Sequence, residues 1–302
     1  EAAICKLDLH GEVSVALGTV PQGQGHETTT AQVVADVLGI TPDEVLVRPG
    51  HDSARNSYTA FSGTYASQFA VTGIGAALGA ARAVRDDILE VASCVLEAPK
   101  EELLLYGGTV SVEGDEDRAL TFAEIANLVY ANQGSLPPEI ADAVTLNRRF
   151  VYRAPFRVPD WRSKSGSLTL TYASQIHACV VEIEEETGRT RILDYAAVDE
   201  CGTVINPQIV EGQVHGAAAH GVAAVLQETL EYDADGQLLN GTFWDYHVIS
   251  PPDTPMFKTD NIPCPSPFTP TGSKGMGEGG GGPLHAVCSA IQDALRGTGA
   301  VV

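Results

Sequence analysis

The sequence predicts an α+β fold in which antiparallel and mixed sheets pack with long helices of small residues. Two observations carry this. Runs of alternating polarity occur in adjacent pairs, which is the pattern of hairpins. Long alanine- and glycine-rich helical stretches separate these pairs without a regular strand–helix–strand alternation, which argues against a purely parallel sheet. There is no internal repeat of fixed period.

In chain order, residues 3–9 and 12–18 alternate around His10-Gly11 and predict a strand pair ending at Gly18-Thr19-Val20. A glycine loop, Pro21-Gln22-Gly23-Gln24-Gly25-His26-Glu27, leads into a helix from Thr28 to Leu38 closed by Gly39, with Val33, Val34, Val37 and Leu38 on one face. Thr41-Pro42-Asp43-Glu44 turns the chain into a short strand, Val45 to Arg48. A long helix is expected from Tyr65 to about Val95. Its glycines at 73, 75 and 79 do not make a dinucleotide fingerprint, because Leu78 stands at the third glycine position, so they are read as sites of close helix packing.

Thr121-Phe122-Ala123-Glu124 is a capping box opening a helix to about Ala131. Residues 132–164 read as irregular. Residues 168–185 and 189–199 form an expected hairpin about Glu186-Thr187-Gly188, and Asn206-Pro207 opens a helix over 208–230. After the turn Asp233-Ala234-Asp235-Gly236, a short strand pair is expected near 237–249, and a last helix begins at Pro283. The whole reads as one unit, 1–302, with two lobes at about 1–160 and 161–302.

Eighteen basic and thirty-nine acidic residues leave a net charge of −21. This argues against nucleic acid and against an anionic membrane surface as partners. No stretch has membrane-spanning length, and the six scattered cysteines contain no C-x-x-C pair. A reduced, cytoplasmic setting is expected. Without an initiator Met, the chain is expected to be a processed, split or trimmed piece of something longer.

Three segments share one design, a backbone rich in glycine or small residues followed by a helix N-terminus: Gln22-Gly23-Gln24-Gly25, Ser62-Gly63-Thr64-Tyr65-Ala66-Ser67, and Gly272-Ser273-Lys274-Gly275-Met276-Gly277-Glu278-Gly279-Gly280-Gly281-Gly282-Pro283. Exposed consecutive N–H groups bind anions, so such loops suit phosphate or a heterocycle rich in donors and acceptors. Each alone reads more readily as a tight turn or a cap. Glu278, a lone carboxylate in a glycine loop, is the candidate for acid–base chemistry, and a closed apolar loop would raise its pKa by desolvation. Glu211-Gly212-Gln213-Val214-His215-Gly216 and His220 add polar groups to a small-residue helix. No H-E-x-x-H pattern is present, so both histidines are read as structural rather than metal ligands.

The order and spacing of five motifs resemble the molybdenum hydroxylases, the family of xanthine dehydrogenase, aldehyde oxidoreductase and aerobic carbon monoxide dehydrogenase. They are Gly18 to Thr28, the Gly63-Thr64-Tyr65-Ala66-Ser67 helix entry, Val198-Asp199-Glu200-Cys201-Gly202 with Ile205-Asn206-Pro207, Glu211 to Gly216, and Lys274 to Gly279. The resemblance covers nearly the whole chain and corresponds to the C-terminal half of the family's molybdopterin-binding subunit. It implies a molybdopterin-binding domain of that type, with the cofactor in its cytosine dinucleotide form. It also implies that Gln22, Gly23, Gln24, Gly25, Tyr65, Ala66, Ser67, Lys274, Gly275 and Gly277 contribute to cofactor binding. Gln24 would hydrogen-bond the cofactor and Ser67 would lie near its phosphates. His220 stands where many relatives have a cofactor-contacting glutamine.

Glu278 falls on the family's catalytic glutamate, a base taking a proton from the water that supplies oxygen to an aldehyde or nitrogen heterocycle. Since the pterin holds the metal, no protein metal ligand is implied. The resemblance further implies another chain or segment carrying the upstream half, with glutamine and glycine-rich parts of the pocket, and iron–sulfur and FAD modules on other subunits. Aromatic residues of 132–164, namely Phe150, Tyr152, Phe156 and Trp161, with Arg162, either reach a substrate pocket or pack on their own domain. The alternative from another functional class is a non-catalytic module of the same fold that binds an anion or nucleotide, or serves only in assembly.

Overall fold

The computed structural model describes residues 1–302 except 55–62, 154, 156–159, 161, 167–169, 280 and 301–302. The chain forms two compact units. One comprises Glu1–Thr171 and Ser266–Ser273, the other Tyr172–Pro265 and Lys274–Val302.

The first unit is built on a four-stranded sheet. Strand β1 (Ala2–Leu7) pairs antiparallel with β2 (Val13–Leu17), and helix α1 (His26–Leu38) returns the chain to β3 (Val45–Arg48), which pairs parallel with β2. The parallel register, Val13 opposite Val45, requires that helical crossover, because a tight turn reverses strand direction. The long helix α2 (Phe69–Leu96) follows. A small antiparallel sheet of β4 (Leu103–Tyr106), β5 (Thr109–Val112) and β6 (Asp115–Thr121) then leads to α3 (Phe122–Tyr130) and the short α4 (Pro138–Ala143). Strand β7 (Asn147–Val151) completes the first sheet in the order β3-β2-β1-β7.

Leu7, Val15, Leu17, Val34, Leu38, Ile74, Val84 and Ile88 form the buried centre of this unit. The predicted capping box is present: Thr121 Oγ1 accepts from Glu124 N at 3.2 Å, while Thr121 N donates to Glu124 Oε2 at 2.8 Å. The α2 glycines are close-packing sites, but against rings rather than another helix. A Cβ at Gly75 would stand 2.8 Å from Tyr152 Cδ2, and one at Gly79 would collide with the Phe150 ring. Phe150 and Tyr152 therefore pack on their own unit. Phe156 and Trp161 lie outside the described residues.

The second unit carries the long hairpin of β8 (Ser174–Ile183) and β9 (Thr190–Glu200). Helix α5 (Pro207–Leu226), the single turn α6 (Phe243–Tyr246), β10 (Phe257–Asn261) and α7 (Gly281–Ala294) follow. Strand β10 joins β9 in parallel. Tyr195, Ala197, Val214, Ala218, Val222, Val287 and Ile291 form its core.

The α+β expectation holds, and both larger sheets are mixed. Three local readings differ from the structure. Segment 132–164 contains β7, whose Asn147-Arg148-Arg149 opening hides the strand. The expected strand pair near 237–249 is replaced by an isolated bridge, Tyr232 to Leu238, and the α6 turn. The second unit's parallel edge is instead β10, short and polar at Lys258, Thr259, Asp260 and Asn261. The sheet over residues 103–121 has no counterpart among the expected strands.

Candidate functional site

In the first unit, the Gln22–Gly25 loop leaves the end of β2 and enters α1. Gly23 has φ +101 and Gly25, at the N-cap of α1, has φ +72. These left-handed values favour glycine, and Gly25 leaves α1 without a side-chain cap. Gln24 folds back so that its Oε1 accepts from Gln22 N at 2.5 Å. Among the described residues beyond its chain neighbours, no heavy atom lies within 4 Å of where a Cβ on Gly23 would sit.

The entry to α2 is a turn over Tyr65–Ser67 in which Ala66 (φ 54) and Ser67 (φ 46) are both left-handed. Such values cost non-glycine residues about 1–3 kcal/mol each and persist only where the surroundings impose them. Part of that constraint is visible. Thr64 Oγ1 donates to Val20 O at 2.7 Å, and Gln68 Nε2 to Gly63 O at 3.2 Å. The Thr64 bond ties the two predicted binding loops together across 44 residues of chain.

A second tie lies beneath them. His26, in the first turn of α1, stacks on Phe69, in the first turn of α2, with ring centroids 3.5 Å apart. His26 is 2% exposed and neither ring nitrogen has a hydrogen-bond partner among the described residues. Burial lowers its pKa to about 4. Two adjoining loops of left-handed backbone, exposed at Gly23 and half-buried at Gly25, Ala66 and Ser67, fit an anionic ligand that accepts hydrogen bonds from N–H groups. Ser62, the first residue of the second predicted segment, lies outside the described residues.

Ser273 belongs to this unit too. Its Oγ donates to Ala70 O at 2.9 Å, at the start of α2.

In the second unit, Lys274 N donates to Cys201 O at 2.8 Å, and Lys274 Nζ lies 2.9 Å from Glu200 Oε2 in a mostly buried ion pair. Glu200 Oε1 accepts from Gly202 N at 2.8 Å. Two motifs 74 residues apart are thereby joined, and the Lys274 ammonium is engaged by a protein carboxylate. Met276 packs on the core beside Gly275, Gly277 is exposed, and Gly279 is buried. Glu278 is thus held out between an anchored Met276 and an anchored Gly279, and is itself exposed.

His220 is exposed on α5, while its neighbour Gly221 is where α5 meets α7: a Cβ there would stand 2.7 Å from Leu284 N. His215 lies 3.9 Å from Glu211 and against the Phe257 ring.

Residues the sequence reading passed over include Thr64 and His26 as ties between loops, and Gln175 and His177 on β8. The last two carried a signal. Burial in β8 alternates with the odd positions facing the helices, so Gln175 and His177 are polar residues at inward positions of an alternating strand.

The sequence pattern of the molybdopterin cofactor-binding domain matches residues 1–255. The nicotine 6-hydroxylase large subunit of Paenarthrobacter nicotinovorans is 34% identical over 304 aligned positions, spanning 100% of this chain and 35% of that subunit. The carbon monoxide dehydrogenase large chain of Hydrogenophaga pseudoflava is 34% identical over 299 positions, spanning 98% of this chain and 34% of that one. The crystal structure of quinoline 2-oxidoreductase from Pseudomonas putida 86 superimposes with a TM-score of 0.84 at 36% identity, covering 100% of this chain and 36% of its counterpart. The chain thus spans about a third of the length of these relatives. With the fold, the paired loops and the family pattern in agreement, the chain belongs to the molybdopterin cofactor-binding domain family.

Proposed function

We propose that this chain is the part of a molybdenum hydroxylase's catalytic subunit that holds molybdopterin cytosine dinucleotide and supplies the general base for substrate oxidation. The observation carrying this reading is the Thr64–Val20 hydrogen bond, which sets two partly exposed left-handed loops side by side. Gln22, Gly23, Gln24 and Gly25 would bind the cofactor with backbone N–H groups and the Gln24 carboxamide. Tyr65, Ala66 and Ser67 would bind its phosphates through the αL turn and the Ser67 hydroxyl. Lys274, Gly275 and Gly277 shape the loop that presents Glu278, and His220 is a further candidate contact.

When bound, the cofactor supplies the two-electron redox centre. Glu278 accepts a proton at a carboxylate oxygen from the water whose oxygen enters the product. The exposed position of Glu278 leaves that carboxylate accessible, and its remaining enclosure falls to residues beyond this chain. The substrate is a nitrogen heterocycle or an aldehyde. Two of the relatives described above are named for nicotine and quinoline, both nitrogen heterocycles, which favours the first. A segment supplying the upstream half of the site and iron–sulfur and flavin subunits are the proposed partners, in the cytoplasm.

The test is molybdenum and pterin analysis of the purified chain with and without a co-expressed candidate partner. Stoichiometric metal and pterin in the assembled form is expected. Their absence under both conditions would overturn the reading in favour of a module that binds another anion or serves only in assembly.

A further inference from the structure

The second unit contains a chain of polar side chains to which proton transfer by Glu278 assigns no part. On the helix-facing side of the β8–β9 hairpin, Tyr195 is fully buried, with its hydroxyl 3.1 Å from His177 Nδ1; His177 Nε2 lies 3.3 Å from Gln175 Oε1. A carboxamide oxygen only accepts, so Nε2 carries the hydrogen. Burial lowers the His177 pKa and favours the neutral ring, so Nδ1 accepts from the Tyr195 O–H.

Gln175 stands opposite Asp199 across the strands, and with Oε1 engaged its NH2 is the group left to act on that carboxyl. Asp199 is 2% exposed, and among the described residues neither of its carboxyl oxygens closes a hydrogen bond of normal geometry. Burial raises its pKa, and the Gln175 amide opposes that rise. The donors therefore run in one direction, from Tyr195 through His177 and Gln175 toward Asp199.

Gly279 and Gly282, which follow Glu278, lie against this chain. A Cβ at Gly279 would stand 2.7 Å from Gln175 Nε2 and 3.3 Å from Oε1; one at Gly282 would stand 2.6 Å from His177 Cδ2 and 2.9 Å from Nε2. A side chain at either glycine would displace a member of the polar chain, and one at Gly279 would also stand 3.1 Å from the Ala217 Cβ; Glu278 immediately precedes Gly279. Apolar packing is non-directional, whereas a carboxamide bonded on one side and faced by a carboxyl on the other has a fixed plane.

We propose that Gln175 is a positioning residue for Glu278: its carboxamide, oriented by His177 and Tyr195, is the seat of Gly279, and so sets the direction of the adjacent carboxylate. The inference rests on the reading of Glu278 as the base. It explains why inward positions of β8 are polar and why Gly279 and Gly282 lack side chains.

The test uses the complete, molybdenum-loaded enzyme containing this chain. Gln175→Met keeps side-chain length and removes both hydrogen-bonding atoms. Expected are a fall in kcat of about tenfold, KM and molybdenum and pterin content within about twofold of the parent, and faster amide exchange in residues 275–279. Tyr195→Phe, which keeps the ring against Phe257, should give a smaller fall of the same kind. In a Glu278→Gln background, Gln175→Met should cost nothing further, because Gln175 acts through Glu278.

Parental kcat in fully loaded Gln175→Met, an undiminished added loss in the double variant, or loss of pterin in both Gln175→Met and Tyr195→Phe would each overturn the inference. Normal turnover in loaded Glu278→Gln would instead overturn the reading of the base and the positioning role with it. Loss of turnover there with a silent Gln175→Met would overturn the positioning role alone.

Discussion

The imidazole of His26 lies nearly parallel to the phenyl ring of Phe69, with centroids 3.5 Å apart and planes 12° apart. It joins the first turns of two helices whose preceding loops are the proposed cofactor cradle. Burial without a hydrogen-bond partner holds His26 neutral, its pKa lowered to about 4 from an ordinary 6.5. Above pH 6.5 neither the folded nor the unfolded state protonates this ring, so it adds no pH dependence. Between 6.5 and about 4 the unfolded chain binds the proton and the folded one does not, so stability falls as pH falls. Thermal unfolding from pH 7 to 4.5 should show this loss, with a limit on the order of 3 kcal/mol. His26→Phe, which keeps the stack, should flatten that part of the profile; an unchanged slope would show that other groups dominate it.

Glu278→Gln preserves shape and removes the base. In the assembled enzyme it should keep molybdenum and pterin while kcat falls by about 10²–10⁴-fold. Steady-state kinetics on metal-quantified protein checks this, and near-parental turnover would remove Glu278 from the mechanism.

Asp87 on α2 receives Arg148 Nε at 2.7 Å and Nη2 at 2.6 Å, with Leu146 N donating to Oδ2 at 3.2 Å. The carboxylate is nearly buried while the guanidinium is one-third exposed. Arg148→Met leaves a buried charge with backbone donors alone. It should destabilise the first unit by about 3 kcal/mol, the low end for a broken buried pair because Arg148 is partly solvated. Asp87→Asn with Arg148→Met should recover part of the loss. Urea denaturation of the single and double variants measures both.

Gly79→Ala would gain up to about 1 kcal/mol of helix propensity in α2. Its Cβ, however, meets the Phe150 ring, and overpacking of that kind costs about 1–3 kcal/mol. Net destabilisation is expected, relieved by Phe150→Leu. A rise in Tm for the single variant would show that the ring moves aside freely.

Local chemistry made much of this molecule readable from its residues. The capping box at Thr121, the glycine stop at Gly39 and the periodicity of 28–38 predicted helices that are present, because each depends on groups a few positions apart. The hairpin about Thr187-Gly188 was readable for the same reason. Glu278 and the Gln22–Gly25 loop were identifiable as candidates because glycine density around a polar side chain is a local signal.

What depended on distant partners was not readable. β7 and β10 have polar, unremarkable sequences and become strands only because β1 and β9 offer them edges. Folding also decided that Thr64 reaches Val20, that His26 lies on Phe69, and that Lys274 is engaged by Glu200. A short stretch of sequence reports backbone preference, whereas these contacts are selected by burial and hydrogen-bond satisfaction summed over the whole fold.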